Sequence, residues 1–328
     1  MINSATLVGD VGGTNCRFAL AARTAQGTIE LHESEKYAVA DFSHFNEAVS
    51  HYLSGINVRP KRAAFAFAGP KFNDAIQMTN VDWLVSEHEL RSKFAFDDAV
   101  VLNDFVAMAN GATVIPDDGF QTLIPGKVNY NKSVAVLGPG TGLGISCIVP
   151  SRIPGQPPSI LATEGGHTGF APQNQLQRDI LAYTVKSREY VAAETLICGP
   201  GMMRLYEAIC QIFDEPMLFK KPDEIVAAAQ ANSKSIARKT VITFCDLLGG
   251  FAGNAALTMG AAGGVVVGGG VSRHIAPFIA ESDFEGNFKN KGTGAWYVKD
   301  IPVRLIMAHF VALYGAAAMV LPVNTKTH

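Results

Sequence analysis

The sequence has few cysteines, and none is spaced as a metal-binding or redox pair. The five lie at positions 16, 147, 198, 210 and 245. An odd count without a CxxC pair favours reduced, mostly buried thiols and argues against a structural zinc site. We therefore expect a cytoplasmic protein.

Long hydrophobic runs and basic clusters are also missing. The most apolar stretch, 261–271, is short and rich in glycine, whereas a membrane span needs roughly 18 to 20 apolar residues. Lys and Arg total 27 against 29 Asp and Glu, a net charge of −2, so neither a nucleic acid nor a membrane is expected as a partner. The chain does not show a basic region followed by an apolar segment and a cleavage site, so a secretory signal is not expected. We expect a soluble protein.

The common nucleotide-binding motifs are absent as well. No GxxxxGK[ST] loop occurs in the chain. The glycines between 138 and 144 do not have the Rossmann spacing, because Leu143 occupies the third required position. A P-loop enzyme and a dinucleotide-dependent dehydrogenase are therefore disfavoured.

Glycine is abundant, and it is concentrated where strands are predicted to end. Two apolar runs, 6–8 and 18–20, flank the turn Gly9-Asp10-Val11-Gly12-Gly13-Thr14-Asn15. The N–H groups of such a turn can form an anion nest, with the Thr14 hydroxyl as a further donor. Asp10 would repel a bare phosphate, but it would suit a Mg²⁺ ion held between carboxylate and phosphate. This hairpin is predicted to bind a metal–nucleotide; a tight turn with a solvated Asp is the alternative.

The same pattern returns in the second half of the chain. A strand predicted at 134–137, the turn 138–144 and a strand at 145–149 match the first hairpin when Thr14 is set against Thr141. A third glycine turn, Gly268-Gly269-Gly270, ends the stretch 263–270, which is predicted to be a buried strand running into that turn. We interpret the first two hairpins as an internal repeat in which each half offers a phosphate-facing turn.

The remaining periodicity predicts alternating strands and helices. The first part is expected to follow the order strand, strand, helix, strand, strand, helix, which is typical of a mixed α/β sheet with helices on its faces. The residues 117–132, rich in Pro, Gly, Asp and Asn, fit a domain crossover. A long helix is predicted over 233–259, with Gly249 and Gly250 as a break or a tight packing point.

Polar residues follow several of these strands. They are Asn103, Asp104, Glu164, His167 and Glu194. Strand ends are where α/β sheets bind ligands, and a carboxylate there can accept a proton from a substrate hydroxyl. Asn, Asp, Glu and His together match a polyhydroxylated ligand, since each hydroxyl both donates and accepts. As single residues, they also fit a helix start at 103–105, a structural turn at 167 and a helix-start carboxylate at 194.

Six motifs in the same order resemble bacterial glucokinases, in the group without the cysteine-rich zinc motif of the regulator-related sugar kinases. They are Gly9 to Asn15, Met78-Thr79-Asn80 with Trp83, Asn103-Asp104-Phe105, Gly140-Thr141-Gly142-Leu143-Gly144, Glu164-Gly165-Gly166-His167, and Gly263-Gly264-Val265 with Gly268-Gly269-Gly270. The resemblance implies an α/β fold of the actin, hexokinase and Hsp70 type, with two ribonuclease-H-like domains around a central cleft. It implies a small domain of 1–113 plus 308–328 and a large domain of 114–307.

The resemblance also implies a reaction and a role for each matching position. The reaction is transfer of a phosphoryl group from ATP with Mg²⁺ to the 6-hydroxyl of glucose, with Asp104 as general base. The implied sugar ligands are Asn80, Asn103, Asp104, Glu164, His167 and Glu194. The implied phosphate ligands are Gly9, Asp10, Val11, Gly12, Gly13, Thr14, Asn15, Gly140, Thr141 and Gly142, while Gly268, Gly269 and Gly270 fall in the adenosine region. Asp10 would hold Mg²⁺, directly or through water. A homodimer and a place in glycolysis are implied too.

One segment departs from the family, and three other functions stay open. Where the family often carries Asn-Pro before Gly-Leu-Leu-Gly, this chain has Ala308-His309-Phe310-Val311-Ala312-Leu313-Tyr314-Gly315, which affects the adenine side. The alternatives are a kinase for fructose, mannose or an N-acetylhexosamine, a non-catalytic sugar-sensing regulator on the same fold, and a generic ATPase. The ATPase would leave 103–104 and 164–167 without an evident role.

Overall fold

The computed structural model describes residues 5–78, 81–154 and 156–321. The strands are β1 (Thr6–Val11), β2 (Asn15–Arg23), β3 (Ile29–Ala38), β4 (Arg62–Phe67), β5 (Lys71–Phe72), β6 (Ala75–Gln77), β7 (Leu84–Ser86), β8 (Asp98–Asn103), β9 (Phe120–Ile124), β10 (Val134–Pro139), β11 (Leu143–Val149), β12 (Ser159–Thr163), β13 (Gly264–Val267) and β14 (Val303–Ile306). The helices are α1 (Phe45–Ser54), α2 (Glu87–Phe94), α3 (Asp104–Ala112), α4 (Gln175–Thr184), α5 (Ala193–Leu196), α6 (Gly199–Ile212), α7 (Pro222–Ala231), α8 (Ile236–Thr258), α9 (Gly270–Ile279), α10 (Phe284–Lys289), α11 (Ala295–Val298) and α12 (Val311–Val320).

The chain divides into two compact units. Unit 1 comprises Met1–Asp117 together with Ala308–His328, and unit 2 comprises Asp118–Met307. The last helix, α12, therefore packs with the first part of the chain, so that unit 1 is built from both ends of the sequence.

Unit 1 is a five-stranded sheet with helices on both faces. Its strand order is β3-β2-β1-β4-β8, in which β2 runs antiparallel to β1 and β3, and β1, β4 and β8 are parallel. One face packs aromatic residues of β2 and β4 against Phe45 and Tyr52 of α1. The other face packs Val8 and Ala64 against Leu313 of α12. The central strands of the sheet are thus buried on both faces.

Unit 2 repeats this arrangement. Its sheet has the order β12-β11-β10-β13-β14-β9, and its first five strands have the same order and directions as the sheet of unit 1. Strand β9 is added antiparallel at the far edge. The expected fold class, α/β with two ribonuclease-H-like, actin-like units, is confirmed.

The two glycine hairpins occupy equivalent places in the two sheets. Each joins the central strand to its antiparallel neighbour, as the internal repeat predicts. The turns differ in length, since four residues separate the paired Val11 and Cys16, whereas three separate the paired Pro139 and Leu143.

The predicted order of the first elements was wrong in three respects. Strand β3 lies between the first hairpin and α1, a small sheet of β5, β6 and β7 follows β4, and α2 precedes β8. Strand β3 is an edge strand, and much of it is exposed to solvent. Its sequence is therefore rich in charged residues and lacks the apolar alternation by which strands are recognised.

Helix α8 runs without a break through Gly249 and Gly250, which are a packing point. A Cβ atom on Gly249 would lie 2.3 Å from the backbone oxygen of Phe284 in α10. Helix α8 has the length and hydropathy of a membrane-spanning helix, but 78% of its most apolar window is buried inside the protein. We therefore interpret α8 as a core helix of unit 2.

Candidate active site

The turn between β1 and β2 is open around Gly12. An added Cβ on Gly12 would meet only the backbone oxygen of Asn15, at 3.6 Å. Gly13 is half-buried, and Thr14 and Asn15 are exposed. Gly9 and Val11, in contrast, lie buried inside the sheet, and a Cβ on Gly9 would lie 2.6 Å from the Phe65 ring. The groups that can contact a phosphate therefore lie in the turn itself.

Asp10 is near the end of β1, directly before this turn. It is paired in register with Arg17 of β2. Burial raises the pKa of Asp10 to about 6, although the nearby Arg17 guanidinium acts in the opposite direction. The Arg17 guanidinium itself lies over the ring of Phe310, 4.6 Å from its centroid. A half-buried carboxylate of this kind gains from a bound cation, which would stabilise its charged form.

Asn103 and Asp104 are at the junction of β8 and α3. Asn103 caps α3, because its Oδ1 accepts the N–H groups of Phe105, at 2.9 Å, and Val106, at 3.4 Å. Its Nδ2 donates to the Gly69 carbonyl at 3.0 Å. Asp104 is the first residue of α3, and its Oδ1 accepts the Phe105 N–H at 2.9 Å. The helix-start interpretation of this pair is therefore confirmed, and the cap holds the Asp104 backbone at the end of β8.

Asn80, the third predicted sugar ligand from the first part of the chain, lies outside the described residues. Its neighbours on either side belong to unit 1, where the Met78 N–H donates to the Trp83 carbonyl at 3.0 Å. The Trp83 indole N–H donates to the Ser43 carbonyl, also at 3.0 Å.

In unit 2 the three other predicted sugar ligands come together. The imidazole of His167 lies between two carboxylates, with Nε2 at 3.9 Å from Glu164 Oε2 and Nδ1 at 3.9 Å from Glu194 Oε1. The side chains of His167 and Glu164 are 61% and 74% exposed, and that of Glu194 is 31% exposed. The cluster thus presents two acceptors and an imidazole to solvent, as hydroxyl recognition requires.

Glu194 joins this cluster to the second glycine turn. It lies in the first turn of α5, and its Oε2 accepts the Leu143 N–H at 2.7 Å. A Cβ on Gly142 would lie 2.5 Å from the same oxygen. A Cβ on Gly166 would lie 2.0 Å from the Leu143 carbonyl oxygen. The glycines at 142 and 166 therefore allow the close approach that brings the carboxylate and the turn together.

The third glycine turn is adjacent to the second. The Gly268 N–H donates to the Leu137 carbonyl at 2.7 Å, and Gly269 has φ +84°, which favours glycine. A Cβ on Gly269 would lie 2.4 Å from the Pro139 oxygen, whereas one on Gly140 or Gly270 would have no neighbour within 4 Å. In these two turns, Gly142 and Gly269 are packed closely against other atoms, whereas Gly140 and Gly270 leave open space.

Sequence reasoning missed the contribution of α6. The Gly199 N–H at the start of α6 donates to the Gly140 carbonyl at 2.8 Å, so the N-terminal ends of α6 and α9 both adjoin the second glycine turn. The string Gly199-Pro200-Gly201 was the available signal, since small residues before a helix let its first turn approach other backbone.

The residues present fit a nucleotide-bound Mg²⁺ ion better than a metal held by the protein alone. No group of three His, Cys, Asp or Glu side chains suited to a metal occurs among the described residues. Mg²⁺ in nucleotide sites is held by one or two carboxylates together with phosphates, and Asp10 provides one such carboxylate beside an open turn.

Comparison with known proteins gives a consistent result along the whole chain. A family model described as Glucokinase matches residues 7–322. A glucokinase of Hahella chejuensis is 38% identical over 312 residues, which are 95% of each chain. The crystal structure of a glucokinase from an Antarctic psychrotroph has a TM-score of 0.87 at 34% identity, covering 96% of this chain and 98% of that one.

A more distant structure agrees in fold alone. A ROK family glucokinase from Streptomyces griseus, in complex with glucose and AMPPNP, has a TM-score of 0.66 at 17% identity and covers 96% of this chain and 99% of that one. The family model, the curated relative and the Antarctic structure each extend over nearly the full sequence. The chain therefore belongs to the glucokinase family.

Proposed function

We propose that this protein phosphorylates D-glucose on its 6-hydroxyl with ATP and releases glucose 6-phosphate and ADP. The contact between Glu194 and the Leu143 N–H carries the proposal, because it joins a carboxylate suited to sugar hydroxyls to a turn suited to phosphates. The Streptomyces griseus neighbour, which holds glucose and an ATP analogue, supports the same pair of ligands.

Asp104 is proposed as the general base. Its carboxylate accepts the proton of the 6-hydroxyl as that oxygen attacks the γ-phosphate, and the Asn103 cap fixes the backbone that carries it. Asn103 has one amide hydrogen left for the sugar beyond its bond to Gly69. Glu164, His167, Glu194 and Asn80 are proposed to orient the ring so that only this hydroxyl is in line, since positioning supplies much of the rate in phosphoryl transfer.

The phosphate ligands are proposed on the two hairpin turns. They are the residues from Gly9 to Asn15 and from Gly140 to Gly142, with Gly268 to Gly270 on the adenosine side. Within the first set, the open positions from Gly12 to Asn15 would make the contacts, while Gly9 allows the packing beneath them. Asp10 would hold Mg²⁺, directly or through water, and the ion would neutralise charge on the transferring phosphates.

The first experiment is a coupled assay of ADP release with Mg·ATP, with and without glucose. We expect release to depend on glucose and to fall by about 10² to 10⁴-fold in Asp104→Asn, which keeps the Phe105 N–H acceptor and removes the base. Asp98→Asn, an exposed residue at the start of β8, is the matched control and should be as active as the original protein. Near-normal turnover in a folded Asp104→Asn variant would refute the assignment of Asp104 as the general base.

The same assay separates the alternatives. Faster turnover with fructose, mannose or an N-acetylhexosamine than with glucose would change the substrate. ADP release without sugar would indicate an ATPase. If no ADP is released, sugar binding measured separately by calorimetry would indicate a sensor.

Assembly, location and domain limits are part of the proposal. We expect a cytoplasmic homodimer acting in glycolysis, with domains at 1–113 plus 308–328 and at 114–307. All five cysteines are free thiols and buried, which suits a reducing compartment. Sedimentation velocity over a range of protein concentrations tests the dimer, and a monomer at every concentration would contradict it.

A further inference from the structure

Unit 2 contains a cavity of about 170 Å³ beside the predicted sugar ligands. We call it the arginine cavity. Its lining includes Thr141, His167, Arg188, Glu194, Pro200 and Arg204. The cavity is smaller than the roughly 300 Å³ of the smallest typical ligand pockets, so it suits a small group.

The two arginines of this cavity are not neutralised by acidic side chains. The Nη1 of Arg204 donates to the Thr195 carbonyl at 3.0 Å. Within the described ranges, the side chain of Arg188 has no hydrogen bond, and neither arginine forms a salt bridge. Among the described residues, Glu194 is the one acid that lines the cavity. Its Oε2 accepts the Leu143 N–H, and it forms no salt bridge with either arginine.

Two such guanidinium groups are suited to one class of ligand. Each offers a planar set of N–H donors that matches a phosphate or carboxylate, and charge-assisted bonds of this kind are stronger than neutral ones. Pro200, also in the lining, belongs to the first turn of α6, a helix of 14 residues. The N–H groups of Gly199 and Gly201 are bonded within the protein, so this end contributes only the positive end of the helix dipole. The Thr141 hydroxyl adds a neutral donor.

We propose that the arginine cavity binds a phosphate group, supplied by inorganic phosphate or by a phosphorylated sugar, and that its occupancy opposes sugar binding. The opposition follows from the lining that the cavity shares with the sugar site, namely His167 and Glu194. This second part rests on the proposed function, whereas binding of the anion does not. A bound phosphate group would thus make the enzyme sensitive to its own product or to free phosphate.

Calorimetric titration of the full chain with sodium phosphate, without ATP and at constant ionic strength, tests the anion site. We expect the Kd for phosphate to rise at least about tenfold in Arg188→Gln, since a charge-assisted interaction is lost. Arg204→Gln should act in the same direction. Arg178→Gln is the control, because this exposed arginine of α4 bonds to Gln175 and does not line the cavity.

Glucose 6-phosphate as a second titrant distinguishes the sources of the group. Tighter binding than phosphate, with the same loss in Arg188→Gln, indicates a sugar phosphate; equal binding indicates free phosphate. In the kinase assay, phosphate should raise the KM for glucose in the original protein and much less in Arg188→Gln.

The inference is overturned if phosphate does not bind the original protein, or if Arg188→Gln binds it equally well. It is also overturned if Arg188→Gln changes only the KM for ATP, which would assign the arginine to the nucleotide. A protein that lacks kinase activity but binds phosphate through Arg188 would refute the proposed function and keep the anion site.

Discussion

Gly142 is the residue on which the proposed sugar and phosphate sites of unit 2 both depend. An added methyl group there would lie 2.5 Å from Glu194 Oε2 and would push the carboxylate away. Because the displaced atom ends a side chain, the protein should stay folded. We expect Gly142→Ala to raise the KM for glucose several-fold, with a small change in Tm.

Gly140→Ala is the matched comparison for this prediction. The same methyl group has no neighbour within 4 Å at this position, so Glu194 should keep its place and the KM for glucose should be unchanged, whatever happens to the KM for ATP. Steady-state kinetics with glucose and ATP varied separately measure both. Equal effects of the two variants on glucose would contradict the argument.

Asp246 makes stability depend on pH. Burial and the neighbouring charge of Asp283 raise its pKa to about 6 from an ordinary 3.8, although its Oδ1 accepts the Asp283 N–H at 2.7 Å. A raised carboxyl pKa means that the folded state binds the proton more tightly. The stabilisation is therefore complete below about pH 4 and is lost as pH rises through 6.

Asp246→Asn removes the buried charge and keeps an acceptor for the Asp283 N–H. We expect this variant to gain about 1–2 kcal/mol over the original protein at pH 8 and little at pH 4.5, a discounted form of the 1.36 kcal/mol per pKa unit. Chemical unfolding at the two pH values measures the difference. The control is Asp300→Asn, because the Asp300 side chain is 85% exposed; this variant should show no such gain. A gain in Asp246→Asn that does not depend on pH would refute the raised pKa of Asp246 as its cause.

Among the elements, α8 and α10 pack through a glycine contact. Gly249→Ala would place a methyl group 2.3 Å from the Phe284 carbonyl oxygen, which is backbone and cannot move alone. We expect a loss of about 1–3 kcal/mol from overpacking, more than the roughly 1 kcal/mol that Ala gains in a helix. In Gly250→Ala the close neighbour is the end of the Gln173 side chain, at 2.9 Å, with the Asn287 Cβ at an ordinary 4.0 Å, so this change should cost less. Thermal unfolding of both variants measures this difference. Equal Tm values would contradict the prediction that the Gly249 contact is the tighter one.

The sequence predicted those elements whose residues show their environment locally. The hairpins at 6–23 and 134–149 are buried on both faces and end in glycine turns, so composition alone indicates them. Strand β3 and helix α9 gave no such signal. Helix α7 was not predicted, although Pro222 and Glu224 in its first turn are helix-start signals. Much of β3 is exposed, and α9 follows Gly269 directly and contains Pro277, a residue that usually argues against a helix.

At the scale of the whole molecule, the same physics limits what could be predicted of the site. The sequence predicts that Glu164 and His167 lie in one site because they belong to one motif, three residues apart. The bond from Leu143 to Glu194 and the shared cavity of Arg188 and Arg204 depend on how α5 and α6 pack on the sheet. Contacts of this range have no local signature, and only the fold reveals them.

The C-terminal segment is essential to unit 1, because α12 covers one face of its sheet. Leu313, Ala316 and Ala317 are fully buried there against residues of β1 and β4. A chain that ends at Met307 should therefore lose the protection of residues 5–117 against proteolysis, while residues 118–307 stay protected. Leu313→Ala should act in the same direction but less, at about 2–5 kcal/mol for one buried side chain. Limited proteolysis with mass spectrometry maps the cleavage sites, and cleavage spread equally over both units would contradict the division of the chain into two compact units.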